Sequence, residues 1–280
     1  MIEAFPAAEL CKKMQRKILI IDDHDNLCTA LCSKFKDLGH EVTIFDNRPD
    51  AVGFSDLTEF DLIVTDLDNI DHCCEMNLNG NASAVLPSNL YVEKPDDVIK
   101  AFKISAAHYS RENFDETELK QIFDMVLDFK ADFVDSIETV QNIREKIEFE
   151  LPSAISLMHD VLDYLMKRTE KVGVCDVDGS NLFVALDEAF VNAIKHGNRY
   201  NPEKMVRITA DVSTKEVSFT IEDEGDGFNI AEIPDPLDPE NLFKTSGRGV
   251  LLIHNIMDEV TYNERGNRLT MVKKKPQSQQ

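Results

Sequence analysis

The chain has 280 residues, enough for two cores, and 52 acidic against 30 basic side chains give it a net charge of −22. That balance argues against nucleic acid and anionic membrane as ligands, since both are bound through clustered Lys and Arg, and is compatible with a basic protein partner. The six cysteines lack the spacing of a disulfide framework, and no signal peptide or long apolar run is present, so a reducing cytoplasm is the expected compartment.

Residues 17–23, KILIIDD, are a β-branched run ending in two carboxylates, the pattern of a buried parallel strand. Leu27, Leu31, Phe35 and Leu38 follow at helical spacing, and Gly39 closes that helix. Cys28 and Cys32 lie one turn apart within it and read as core rather than as zinc ligands. EVTIFD (41–46) and DLIVTD (61–66) supply two further strands, and YVEKPDD (91–97) another, ending in Lys94–Pro95. Strands alternating with helices predict a parallel α/β sheet whose working edge lies at the strand C-termini, where Asp22, Asp23 and Asp66 gather. Three carboxylates at one rim are chemistry for a magnesium ion.

This set resembles the receiver domain of response regulators, a flavodoxin-like fold. By that resemblance Asp22 and Asp23 hold magnesium, Asp66 accepts a phosphoryl group from an upstream histidine kinase, and Lys94 pairs with it. Between Asp66 and Lys94 the chain is too short for the helix, strand and helix of a receiver. ASAVLP (82–87) is the remaining candidate strand, with Ser88 or Ser83 as its hydroxyl. The segment 16–105 is therefore either a shortened, phosphorylatable receiver or a degenerate one kept for dimerisation or docking.

Residues 115–144 contain neither Gly nor Pro, and Leu119, Ile122, Val126, Phe129, Phe133, Ile137 and Val140 step by three or four. The spacing predicts a helical connector over 106–144, either a dimerising coiled coil that transmits a signal or a helix packed on a neighbouring domain. The stretch 115–144 contains no histidine. KIEFELP (146–152) opens a third segment, 145–275, as a strand, and Ser153 is the expected cap of a helix over 154–171. His159 beside Asp160 in that helix reads as a packing or surface residue.

LDEAFVNAIKHGN (186–198) is amphipathic, with Leu186, Ala189, Phe190, Ala193 and Ile194 on its buried face and Glu188, Asn192 and His196 along one stripe. A carboxylate one turn from an amide suits phosphoryl transfer, because the amide oxygen can hold a hard cation and the carboxylate can deprotonate a hydroxyl. FTIEDEGDG (219–227) is a strand ending in a turn with Asp223, Gly225 and Gly227. In SGRGVLLIHNIMD (246–258), Gly247 and Gly249 flank Arg248 at the start of an apolar helix, where backbone amides favour phosphate. Strands over 205–213, 215–223, 259–265 and 268–274 complete an α/β sandwich.

These three motifs, in this order, resemble the N, G1 and G2 boxes of the GHKL ATPase superfamily. The run from Pro234 to Lys274 resembles the lid and C-terminal strands of the anti-sigma-factor serine kinases. The resemblance implies ATP with magnesium: Asp223 reads the adenine amine, Asn192 ligates the metal, and His196, Gly225, Gly227, Gly247 and Gly249 line the nucleotide. Arg248 would neutralise charge on the γ-phosphoryl group, and Glu188 would be the general base for a protein serine hydroxyl. A short lid over 228–246, with Pro234, Pro236 and Pro239, would close on the nucleotide and dock a partner. The implied protein is a homodimeric serine/threonine kinase of a bacterial partner-switching pathway. It would act on a STAS-type antagonist, sequester a sigma factor and be gated by the receiver-like domain. A nucleotide-binding adaptor that exchanges partners without phosphotransfer is the reading from another class.

Overall fold

The computed structural model describes residues 14–22, 26–45, 57–67, 98–109, 114–134, 143–174, 181–227 and 248–276. Strands β1 (Lys17–Asp22), β2 (Glu41–Phe45) and β3 (Leu62–Leu67) are parallel, as the alternation of strand and helix predicts, and lie in the order β2-β1-β3 with α1 (Asn26–Asp37) as the crossover between the first two. The unbroken apolar run of β1 has its cause in burial on both faces. Ile18 and Ile20 join the core that contains Leu27, Leu31 and Phe35 of α1, whereas Leu19 and Ile21 pack with Leu57, Phe60 and Ile63 on the other side.

The sheet does not stop at β3. β4 (Val98–Ser105) pairs antiparallel with β3 and parallel with β5 (Ile143–Pro152), in a register running from Val98↔Ile143 to Ser105↔Glu150. From there the strands continue antiparallel through β6 (Met205–Val212), β7 (Glu216–Asp223), β9 (Arg268–Lys274) and the edge strand β8 (Glu259–Tyr262). Among the described residues the result is a single nine-stranded sheet, β2-β1-β3-β4-β5-β6-β7-β9-β8. The boundaries expected at 105 and 145 coincide with no break in hydrogen bonding.

Of the two readings of the connector, this topology favours the helix packed within the chain. Parallel neighbours such as β4 and β5 need a crossover of a dozen or more residues, usually a helix, and α2 (Glu116–Phe129) is that crossover. Asp115 caps it by accepting from the Glu118 amide at 3.0 Å. The helix ends at Phe129 in one π turn, Lys130–Val134, and the chain is in strand again at Ile143. Leu119, Ile122, Val126 and Phe129 are buried in the chain's own core, so they cannot form the seam of a dimer. Ile137 and Val140 lie outside the described residues, as does the side chain of Phe133.

Helices α3 (Met158–Lys171), α4 (Leu182–Val191) and α5 (Arg248–Ile256) share that core with α1 and α2. At the junction of the two halves Phe102 of β4, Phe123 of α2, Phe149 of β5 and Tyr164 of α3 meet with ring centroids 5.6–6.2 Å apart, mostly edge to face. Arg16, only 1% exposed, ties the start of β1 to α2. Its Nε donates to Glu118 at 3.0 Å while its guanidinium lies 4.0 Å over the Tyr109 ring. Ser153 does not cap α3: its hydroxyl donates to the Lys204 carbonyl at 2.8 Å, and a 3-10 turn, Ile155–Leu157, leads into the helix instead.

Candidate functional site

The apolar stripe of α4 is buried as the spacing requires, with Leu182, Ala185, Leu186, Ala189 and Phe190 in the core. After Val191 the helix widens into a π turn, Asn192–Gly197, a form that often marks functional positions. Glu188 and Asn192 are half-buried, whereas His196 is exposed at the end of the turn. Glu188 stands against the first turn of α5: a Cβ added to Gly249 would overlap its carboxylate. That contact explains a glycine at 249 better than conformational freedom does, because any side chain there would push the carboxylate away. The backbone of Arg248 begins α5, while its side chain, together with Gly247 and the 228–246 lid, lies outside the described residues.

Asp223 ends β7 with its side chain turned back on the chain, Oδ1 accepting from the Gly225 amide at 2.8 Å. Burial holds its carboxyl pKa above the ordinary aspartate range, against the opposing pull of the Gly225 amide, Lys204 and Arg265. Gly197 faces this carboxylate so closely that a Cβ would overlap it, and a Cβ on Gly225 would meet the Gly197 carbonyl. Gly227 adopts φ +77°, a left-handed conformation, beneath the Arg265 carbonyl. Arg265 in turn donates from Nη2 to the Gly225 carbonyl at 2.8 Å. The acidic turn is thus held between the end of the α4 unit and the β8–β9 hairpin.

Two asparagines that sequence reasoning passed over complete this clamp. Asn198 is 1% exposed and reaches three elements: Nδ2 donates to Ser153 Oγ at 2.8 Å and to the Met205 carbonyl at 2.9 Å, while Oδ1 accepts from the Glu224 amide at 2.8 Å. Asn267 donates from Nδ2 to the Asp223 carbonyl at 2.7 Å, and its own carbonyl accepts from the Asp223 amide at 3.0 Å. Gly197 was also missed, since a glycine after a helical run reads as a C-cap.

At the N-terminal rim the described carboxylates bond within the chain. Asp22 and Asp66 are register partners on adjacent strands, but each carboxylate has other work. Asp22 Oδ2 accepts from the amides of Leu27 and Cys28 at 2.6 and 3.0 Å and so anchors the start of α1. Both oxygens of Asp66 accept from Lys130 Nζ, a residue of the π turn after α2. Among the described residues no group of three or more His, Cys, Asp and Glu side chains is placed to hold a metal ion. The negative charge at 66 thus meets a lysine that the linear sequence hides in a helix. Asp23, Lys94, Ser83 and Ser88 lie outside the described residues. Cys28 is buried and Cys32 partly buried. His159 is exposed, 3.5 Å from Asp163.

The histidine kinase-like ATPase domain family matches residues 151–273. The serine-protein kinase RsbW of Staphylococcus epidermidis is 30% identical over 145 residues, which cover 48% of this chain and 89% of that relative. RsbW of Staphylococcus aureus strains Newman and JH9 is 29% identical over the same length, with the same coverage. The chain belongs to the RsbW family of serine-protein kinases. Its RsbW-like half, a histidine kinase-like ATPase domain, contains Glu188, Asn192, Asp223 and Gly249, whereas β1–β4 and α2 lie outside the matched domain. In this half a half-buried carboxylate, Asp223, stands at a strand end packed against Gly197, where a Cβ would overlap it. No helix among the described residues is long and apolar enough to cross a membrane.

Proposed function

We propose that the protein is an ATP- and magnesium-dependent kinase that phosphorylates a serine or threonine of a small STAS-type antagonist, and that it holds a sigma factor when that antagonist is phosphorylated. The observation that carries this reading is the packing of Glu188 against the first turn of α5, a helix N-terminus flanked by glycines. A carboxylate fixed at the edge of a phosphate-favouring helix end is well placed to take a proton from an attacking hydroxyl.

In this proposal Asp223 accepts from the exocyclic amine of adenine, and Gly225 and Gly227 let the chain pass beneath the base. Asn192 offers its amide oxygen to magnesium, with His196 at the outer end of the same stripe. Gly247, Arg248 and Gly249 face the phosphates. Magnesium-bound ATP supplies the phosphoryl group. The protein's part is positioning and charge stabilisation, which account for most of the catalysis of phosphoryl transfer. The N-terminal half would act on this centre through α2, which is bonded to both sides: Lys130 to Asp66 in β3, and Glu116 Oε1 to the Ser156 hydroxyl at 2.5 Å before α3.

Mixing the full chain with labelled ATP, magnesium and a panel of STAS-type proteins tests the reading. Phosphoserine or phosphothreonine on one of them is expected. Measurable ATP binding without transfer to any would replace the kinase by an adaptor that works through partner exchange.

A further inference from the structure

The peptide unit that follows Asp223 is gripped on both edges. Its carbonyl accepts from Asn267 Nδ2 at 2.7 Å, and its N–H, that of Glu224, donates to Asn198 Oδ1 at 2.8 Å. The two asparagines come from opposite sides, one from the exit of the π turn and one from the β8–β9 hairpin. The peptide before Asp223 is held as well, its N–H donating to the Asn267 carbonyl at 3.0 Å, and planar peptides fixed on both sides of a Cα set the direction of its Cα–Cβ bond. Pinning these planes therefore aims the Asp223 side chain, whose Oδ1 is steadied by the Gly225 amide. Asn198 is itself immobilised, since both of its N–H groups are used, on Ser153 and on Met205. A buried amide so fully engaged costs free energy if it is disturbed and moves little if it is not.

We propose that Asn198 and Asn267 are positioning residues that set the base selectivity of the nucleotide site by holding the Asp223–Glu224 peptide in one orientation. The proposal rests on the reading of Asp223 as the adenine contact. A site built to hydrogen-bond a group on its ligand rejects an analogue that lacks the group, but only while the bonding atom stays in register. Neither asparagine touches the ligand in this account. Each acts through the peptide it holds.

The test compares affinity for ATP with that for purine riboside triphosphate, which lacks the exocyclic amine, using the full chain. Wild type is expected to prefer ATP, and Asp223→Ala to lose the preference. Asn198→Ala and Asn267→Ala are each expected to reduce the preference about tenfold by weakening ATP alone. Asn198→Ala should add nothing in the Asp223→Ala background. Asn267→Ala carries the test should Asn198→Ala fail to fold. Equal weakening of both nucleotides, or an unchanged preference in both alanine variants, would overturn the proposal. A wild type indifferent to the amine, or an Asp223→Ala variant that still prefers ATP, would instead remove the adenine reading on which it stands.

Discussion

Lys130 Nζ lies 2.8 Å from both carboxylate oxygens of Asp66, and neither residue is more than 7% exposed. The ammonium also sits 5.4 Å from the centroid of Phe102 in β4. One ion pair thus fastens the end of α2 to β3, in the half of the sheet that lies outside the matched domain. Removing one member of such a pair strands a buried charge. Lys130→Met should cost about 3–5 kcal/mol in urea unfolding, and adding Asp66→Leu should recover most of it. Because the carboxylate is engaged, acetyl phosphate should leave Asp66 unlabelled in the wild type, as read by mass spectrometry after borohydride trapping.

Gly197→Ala and Gly249→Ala should separate binding from transfer. A methyl at 197 collides with Asp223 and should weaken ATP binding at least tenfold, the scale of one lost hydrogen bond to a charged group at about 1.5–3 kcal/mol. A methyl at 249 collides with Glu188 and should reduce the transfer rate by more than it reduces ATP affinity. Calorimetric titration beside a single-turnover assay reads both.

Asp223 titrates above the 3.8 of a free aspartate because burial disfavours its charge. The folded protein therefore binds a proton here more readily than the unfolded chain does. The stability that this group contributes falls as pH rises from 3.8 through the raised value. Asp223→Asn removes that loss, so at neutral pH the variant should melt no lower than the wild type while binding ATP more weakly. A thermal melt and a binding isotherm on the same sample check the pair of outcomes.

The buried seam of α2 predicts a stability phenotype rather than a dissociation phenotype. Ile122 is 1% exposed within the core, so Ile122→Ala should cost about 2–5 kcal/mol. Its unfolding midpoint should shift equally at all protein concentrations, whereas a coiled-coil seam would make the shift concentration-dependent.

The elements of the RsbW-like half were legible because their signals are local. Alternating Val206, Ile208, Ala210 and Val212 mark a one-faced strand, and the glycine-flanked motifs mark chain turns and close approaches. What was hidden is long-range. Nothing in VIKAFKIS says that it bridges two presumed domains, because the choice between a terminal strand and a central one is made by β3 and β5, which lie on either side of it. The heptad-like spacing of α2 is equally satisfied by a partner helix and by the chain's own sheet. Lys130 and the two clamping asparagines look like ordinary surface and turn residues until the fold brings Asp66 and the Asp223–Glu224 peptide to them.

The most direct measurement is a single-turnover phosphotransfer assay on the phosphorylatable STAS-type substrate, run with wild type and Glu188→Gln at saturating ATP and with ATP affinity measured in parallel. General base assistance is worth about 10²–10⁴-fold, so Glu188→Gln should lower the transfer rate by that factor with ATP affinity within about threefold of the wild type. An unchanged rate would contradict the account, since the carboxylate against α5 would then take no part in moving the proton.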